Sequence, residues 1–392
     1  MKKYLKLLSP KTARFFLDRM FLALAPSGHS DGGDKNKRKK ICLLRLDGLG
    51  DVVLFADALR GYREFFDGGS HEITLVTEHW IAPLFEGCPY MDKVAGLDTR
   101  SFKKSLVYRS GFLGWMKAEG FDVFINSCLD REISYGDIMA CASRAGSRYG
   151  FQTKGRNVIE KMIGDRFYTG LAPLPGHEMH ELEKNAEMVS FVAKRPYRPR
   201  KPQMDWSGKA EQGDYFVIAP GTKGPAKKWP AERFAALCRL LYEDLKLKPV
   251  IAGGKGDASA ADAVMRAAPE LRFDDRTGKL DLPSLARLIS GARFFLGNDS
   301  GPSHLAAATG IKTFVITHGT SFIQYASYPE YLKAGYAAIH QDDASCFNCH
   351  GDCIYGMKNG IFPCIENISV EQARRIVLKN MEPGSNPLQK PK

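Results

Sequence analysis

Ala292-Arg293-Phe294-Phe295-Leu296-Gly297-Asn298-Asp299-Ser300-Gly301-Pro302-Ser303-His304-Leu305-Ala306-Ala307-Ala308-Thr309 reads as a buried strand, a tight polar turn and a helix. The strand covers 293–296, with a continuous apolar core, and the turn is Asn298-Asp299-Ser300-Gly301. Pro302 stands in the first helical turn, where its missing N–H costs nothing. Such an arrangement aims backbone N–H groups out of the carboxyl end of a strand, where α/β sheets bind phosphates and nucleotides. Asp299 and His304 flank that position. A plainer reading stays open here, because Asp or Ser ahead of a helix is a common N-cap.

The same grammar extends outward in both directions. Strands are predicted over 214–219, 249–252 and 312–317, and helices over 230–243, 258–268 and 282–290. Ser369 followed by Gln372 resembles a capping box that opens a last helix. Upstream, strands are predicted over 41–46, 73–77, 93–96 and 121–127. They alternate with helices over 52–66, 80–85, 102–118 and 133–142, and a further helix covers 178–193. Strand–helix alternation argues parallel sheets with helices on both faces. Residues 194–213 break the pattern with a basic, proline-rich run that reads as a linker. The expected organisation is a basic arm and linker over 1–40, an α/β domain over 41–193, the linker over 194–213, a second α/β domain over 214–368, and a helix and tail over 369–392. Two doubly wound domains facing a cleft would bind ligand at the carboxyl ends of their strands.

Charge is uneven along the 392 residues. Residues 1–40 hold eleven Lys or Arg against Asp18, Asp31 and Asp34, a net +8 that leaves +4 of the chain's +12 for everything else. That remainder is too small to mark a broad nucleic-acid face. The arm alternates basic and bulky apolar residues, a pattern suited to an anionic membrane surface or to a helix packed on the protein's own surface. No apolar run reaches the 18 or so residues of a spanning helix, and Asp18 with Arg19 interrupts any signal-peptide core. A cytoplasmic protein, peripheral on the inner face of a membrane, is expected. Five of the nine cysteines, Cys42, Cys88, Cys128, Cys141 and Cys238, are scattered and read as buried free thiols.

Four other stretches carry candidate chemistry. In Asp47-Gly48-Leu49-Gly50-Asp51, the glycines allow close backbone approach to a ligand. Position 53 is Val, so this is not the dinucleotide fingerprint. Asp51 fits either an N-cap or a general base. In the loop from Pro220 to Pro230, Thr222, Lys223, Lys227 and Lys228 place a hydroxyl and cations ahead of a helix, a natural diphosphate site though not a Walker loop. Asp257, after Gly253-Gly254, fits a ribose contact or a helix cap. Cys346, Cys349, Cys353 and Cys364, spaced Cys-x2-Cys-x3-Cys-x10-Cys, would suit one structural zinc. His177 and His180 head a helix without a metalloprotease pattern and read as surface or interdomain polar residues.

Three blocks together resemble one family: 44–53 (Leu-Arg-Leu-Asp-Gly-Leu-Gly-Asp-Val-Val), 220–234 around Ala226-Lys227-Lys228-Trp229-Pro230, and 298–308. Their order and spacing are similar to those of the ADP-heptose:lipopolysaccharide heptosyltransferases, glycosyltransferase family nine, over about residues 41–380. The resemblance implies a GT-B fold of two Rossmann-like domains, acceptor on the first and nucleotide-sugar on the second. It implies an inverting transfer with no obligatory metal or other cofactor. By the same resemblance Asp51 is the base and Lys227 neutralises the donor diphosphate. Thr222 lies in the phosphate loop, Asp299, Ser300 and Gly301 form the donor turn, and His304 follows it. Gly50, Lys223, Lys228 and Asp257 join them as candidate substrate contacts. Thr317-His318-Gly319-Thr320-Ser321 departs from the family's usual Gly-Pro-Thr-Asp-Pro.

The expected function is transfer of heptose, or a related sugar, from a nucleotide diphosphate donor, ADP-heptose, to the lipopolysaccharide inner core. The expected partners are that donor, the core acceptor and the inner-membrane surface, without nucleic acid. A GT-B sugar-nucleotide epimerase and a non-catalytic nucleotide-sugar or glycan-binding protein are the alternatives.

Overall fold

The chain builds one strand plan twice. The computed structural model describes residues 14–15, 17–20, 37–153, 158–176, 178–204, 206, 208, 210–333, 335–341 and 346–381. Most of the basic arm, His177 and the tail after 381 lie outside them. Two compact units emerge: Met1–Asp47, Ala58–Gly176 and Glu183–Pro199 form the first, and Gly48–Asp57, His177–Leu182 and Arg200–Lys392 the second. The change at 199/200 falls inside the basic proline-rich run.

The first unit has six strands, β1 (Lys39–Leu44), β2 (His71–Glu78), β3 (Lys93–Leu97), β4 (Val123–Asn126), β5 (Ser147–Phe151) and β6 (Gly170–Ala172). They pair in parallel in the order β3-β2-β1-β4-β5-β6. Ile41, Cys42, Leu43 and Leu44 are all fully buried, as a strand covered on both faces requires. Helix α1 (Leu49–Phe65) follows β1. The helix expected over 102–118 is two, α2 (Thr99–Lys104) and α3 (Leu106–Glu119). Ser105 separates them: its backbone is extended, and its hydroxyl caps α3 by accepting from the Tyr108 amide. The helix expected over 133–142 opens with a wide turn, Ile133–Asp137, before α4 (Ile138–Ser143). Strands β5 and β6 and helix α5 (Val158–Asp165) had no expectation; α6 (Glu181–Ala193) did. Phe102, Leu113, Phe121 and Phe124 anchor this unit's core, and Phe15 of the arm packs into it.

The second unit comprises β7 (Tyr215–Ala219), α7 (Ala231–Leu245), β8 (Lys248–Ile251), α8 (Ala258–Ala267), β9 (Asp274–Asp275), α9 (Leu282–Ser290), β10 (Phe294–Asn298), α10 (Gly301–Thr309), β11 (Lys312–Ile316), β12 (Tyr336–Ile339), α11 (Pro363–Glu366) and α12 (Val370–Met381). Its parallel order is β12-β11-β10-β7-β8-β9, the first unit's order repeated with β7 in place of β1. In both sheets the winding direction reverses beside the first strand, between β1 and β4 and between β7 and β10. Such a switch point opens a crevice at the strands' carboxyl ends. Phe216, Trp229, Phe234, Phe294 and Phe314 are buried in this unit's main core. A smaller cluster joins Leu54 of α1 and Leu182 of α6 to Ala307, Val315, Tyr328 and Tyr336. The Ser369 hydroxyl accepts from the Gln372 amide, half of the expected capping box. Among the described residues, no helix is long and apolar enough to cross a membrane.

Candidate functional site

In the second unit the site is organised by Asn298, the last residue of β10. Its side chain is fully buried. Nδ2 donates to Pro220 O at 2.7 Å, and Oδ1 accepts from Trp229 N at 3.2 Å. One amide thus clamps both ends of the lysine-bearing loop. Gly297 precedes it because a Cβ there would lie 2.9 Å from Ala219 O on the neighbouring strand.

Ser300 occupies the N-cap of α10, yet its hydroxyl turns back to Asn298 O at 3.1 Å and caps nothing. The capping alternative for this turn therefore fails. Asp299 instead sits between two buried imidazoles, His304 Nε2 at 3.7 Å and His318 Nε2 at 3.5 Å. Thr320 N donates to His318 Nδ1 at 3.1 Å, so that nitrogen is an acceptor and the ring proton sits on Nε2, facing Asp299. His304 Nδ1 pairs with Tyr328 Oη at 3.2 Å.

Burial pushes His318 down to about 4; Asp299 opposes the shift and the charge of Lys227 adds to it. His304 is lowered by burial as well, against Asp299 and Glu181. Both rings are neutral at pH 7. The folded-state values lie below the ordinary His value of about 6.5, so the unfolded chain takes up protons first. Stability present above pH 6.5 is lost as pH falls through the window down to about 4. Urea unfolding followed by circular dichroism is expected to show a lower midpoint at pH 5 than at pH 7.5, with a shallower fall in His318→Asn. An identical pH response in the variant would contradict the assignment.

The amino end of α1 packs on that of α10, and both belong to this unit. A Cβ on Gly50 would meet His304 Cδ2 at 2.8 Å, and one on Gly301 would meet Leu49 Cβ at 2.8 Å. Each helix start thus needs a glycine against the other. Helix α1 begins three residues earlier than expected, at Leu49, so Asp51 lies inside the first turn and is not the N-cap. Asp51 Oδ2 and Lys223 Nζ lie 3.4 and 3.9 Å from the point a Cβ on Gly48 would occupy. Carboxylate and exposed ammonium therefore share one neighbourhood.

The remaining candidates surround it. Thr222 Oγ1 donates to Asp299 O at 3.4 Å. Lys227 closes a short 3-10 turn, Pro225–Lys227, and like Lys228 is half-buried. Asp257 does not cap α8; its carboxylate accepts from Gly254 N at 2.8 Å. A Cβ on Gly221 would lie 2.1 Å from Asp257 Oδ1, so Asp257 braces the start of the lysine loop.

Two expectations are corrected. Cys346, Cys349, Cys353 and Cys364 do line one cavity of about 260 Å³. Yet no group of three or more His, Cys, Asp or Glu among the described residues is gathered closely enough to hold a metal ion. Of the two readings given for His180, surface or interdomain, the surface one fails, because His180 is buried: Leu182 N donates to its Nδ1 at 3.2 Å and its Nε2 pairs with Tyr325 O. Cys42, Cys88, Cys128 and Cys238 are buried free thiols as expected, and Cys141 is half-buried.

The clamp by Asn298 and the contact of His318 with Asp299 were not read from the sequence. The available signal was position: Asn298 closes β10, which flanks the switch point, and His318 follows the carboxyl end of the adjacent strand β11.

Residues 166–328 match the sequence model of glycosyltransferase family 9 (heptosyltransferase). Lipopolysaccharide heptosyltransferase 3 of Escherichia coli (strain K12) is 27% identical over 169 residues, 40% of this chain and 47% of the relative. The chain thus spans about half the length of that relative. Lipopolysaccharide heptosyltransferase 1 of the same strain is 20% identical over 284 residues, 69% of this chain and 84% of its own length. Among solved structures, a family 9 glycosyl transferase from Veillonella parvula DSM 2008 superposes with a TM-score of 0.69 at 20% identity, covering 88% of this chain and 98% of its own. The E. coli heptosyltransferase WaaC with ADP gives 0.67 at 16% identity, with 87% and 99% covered. These likenesses show the fold, the GT-B plan of two Rossmann-like units.

Proposed function

From the match of residues 166–328 to glycosyltransferase family 9, we propose that the chain transfers a heptose, or a closely related sugar, from a nucleotide diphosphate to the lipopolysaccharide core with inversion at the anomeric carbon. ADP-heptose is the donor and the inner core the acceptor. One observation carries the reading: Asp51, the lysine loop, Asp299 and the start of α10 gather in a single unit, linked through Gly48, Gly50 and Gly301. That set holds what the reaction consumes, a proton acceptor and cations for a leaving diphosphate.

In the proposed mechanism the acceptor hydroxyl gives its proton to the Asp51 carboxylate. Its oxygen attacks the anomeric carbon, and the bond from that carbon to the β-phosphate oxygen breaks with its electron pair. Lys227 meets the charge that develops on the departing diphosphate, with Lys223, Lys228, Thr222 and the amino end of α10 beside it. Asp257 meets the ribose. Asp299, held by two neutral imidazoles, orients the donor with Ser300 and Gly301, while His304 and Gly50 fix the two helix starts. No metal is assigned a step.

The test is donor-dependent transfer. Purified chain, ADP-heptose and a core oligosaccharide truncated before its heptoses are incubated, and products are read by mass spectrometry. One added heptose supports the reading. Donor turnover without acceptor would favour an epimerase, and donor binding without turnover a binding protein.

We also propose that the protein works peripherally on the cytoplasmic face of the inner membrane. The arm's net +8 supports this, as do exposed Leu17, Met20, Leu106, Val107, Val158 and Met162 on the first unit. Apolar side chains with nearby cations suit an anionic interface. Deleting residues 1–36 is expected to abolish co-sedimentation with phosphatidylglycerol vesicles at low salt. Unchanged sedimentation would remove the proposal.

A further inference from the structure

The segment that follows β11 carries His318, which faces Asp299, and it is gripped by the cysteine-bearing loop. Asn348 N donates to Gly319 O at 2.6 Å, and Asn348 Oδ1 accepts from Ile323 N at 3.0 Å. His350 N donates to Thr320 O at 2.9 Å. Cys364 Sγ accepts from Gly319 N at 3.4 Å. Phe347 stacks on Phe322 with ring centroids 4.9 Å apart and meets the His340 ring at 5.5 Å. A Cβ on Gly319 would lie 2.4 Å from Phe347 Cδ1, so that ring fits against the backbone with no room to spare. Thr320 N in turn donates to His318 Nδ1. All these residues belong to the second unit.

Phe347 and Asn348 are the two residues between Cys346 and Cys349. Residues 346–348 form a turn, and Asn348 is left-handed with φ 64°, a conformation that Asn adopts more readily than most residues. Cys346, Cys349 and Cys353 are half-buried, Cys364 is buried, and all four are free thiols on one cavity. Burial, with the neighbouring thiols, pushes the Cys364 thiol up, which makes it the slow one to react. A metal ion needs three or four of these groups to converge, whereas a disulfide needs two.

We propose that Cys346 and Cys349 are a modification site, closed to a disulfide by a hydroperoxide, and that closure loosens the segment behind Asp299. The inference rests on the proposed function in one respect, that the Asp299 turn meets the donor nucleotide. One sulfur of the pair attacks a peroxide oxygen. The O–O bond breaks, a sulfenic acid forms, and the other oxygen leaves as water or alcohol with the thiol's proton. The second sulfur attacks the sulfenic sulfur and expels its oxygen, which leaves as water with the second proton. The two thiols lose two electrons and the peroxide gains them. Drawing the sulfurs to bonding distance tightens the turn between them. That turn consists of Phe347 and Asn348, the residues fitted against Gly319 and Ile323, so the strain passes to the segment bearing His318.

The test uses the full chain, reduced, freed of reductant and then treated with hydrogen peroxide. Peptide mass spectrometry after alkylation is expected to show Cys346 joined to Cys349. Amide hydrogen exchange over 319–323 is expected to quicken by about tenfold on oxidation and to return with dithiothreitol. ADP, titrated calorimetrically, is expected to bind the oxidised form at least about fivefold more weakly. In Cys346→Ser both responses to peroxide should vanish; should that variant fail to fold, the wild-type comparison decides alone. Both cysteines recovered as free thiols, a bound metal ion holding them, exchange or ADP affinity that is equal in the two redox states, or a peroxide response that survives in Cys346→Ser would each overturn the inference. The exchange readout needs no nucleotide. A redox-dependent change over 319–323 in a chain that binds no ADP in either state would support the disulfide site and count against the proposed function alone.

Discussion

Asp51→Asn is expected to cut sugar transfer by about 10²–10⁴-fold while ADP binding changes by less than about twofold. Inverting displacement at an anomeric carbon requires the acceptor hydroxyl to lose its proton as the new bond forms. Asparagine keeps the size of the carboxylate but cannot take the proton. The helix starts at this corner pack through Leu49 against Gly301 and Gly50 against His304, and asparagine keeps the shape that Asp51 presents to its neighbours. A folding defect is therefore not the expected outcome, and an unchanged urea midpoint would confirm it. The measurements are steady-state kcat with saturating donor and acceptor, and calorimetric titration with ADP. Wild-type turnover in the variant would remove Asp51 from the mechanism. Weakened ADP binding with unchanged kcat would move it to the donor site.

Lys227→Ala carries the second large effect, a fall in kcat of about 10²–10³-fold. The charge on the departing diphosphate is greatest in the transition state, so a cation placed for it acts on kcat more than on donor affinity. Lys227→Arg should recover part of the loss, since it restores the charge with a different reach. A second readout is independent of catalysis. Lys227 lowers the His318 pKa from its place near that ring. Removing the ammonium should therefore raise the pKa, seen as an upward shift of the imidazole titration by NMR. A titration that does not move would mean Lys227 stands elsewhere, whatever the kinetics show.

The sequence reading reached furthest where local pattern and burial agree. The helix over 282–290 has its expected bounds, opened by Asp281 accepting from the Ser284 amide. Strand β10 is wholly buried, and its apolar run said so. The reading failed where pattern is thin. Strand β5, Ser147–Phe151, carries Arg148 and Gly150 and is only partly buried, and β6 has three residues. Neither presents a period from which a strand can be called. The wide turn over Ile133–Asp137 and the break at Ser105 arise from neighbours and caps that a periodicity does not encode.

Candidate residues divide along the same line. By itself the chain's order of residues determined a parallel α/β architecture, a lysine-bearing loop after one strand and an Asp-Ser-Gly turn after another. Each follows from spacing along a single segment. Tertiary structure decided what these parts do to one another. Only when α10 meets α1 does Gly50 fall against His304 and Gly301 against Leu49, which places Asp51 inside a helix turn and beside Lys223. Only when β10 and β11 lie side by side does Asp299 face His318, nineteen positions further on. The four clustered cysteines line one cavity without forming a group that could hold a metal ion, while acidic residues of the first unit scattered over 47–132 line another. The physical reason is common to all of these. A spacing constrains the backbone within one element, whereas a site is made by side chains from elements far apart in sequence, and packing sets their distances.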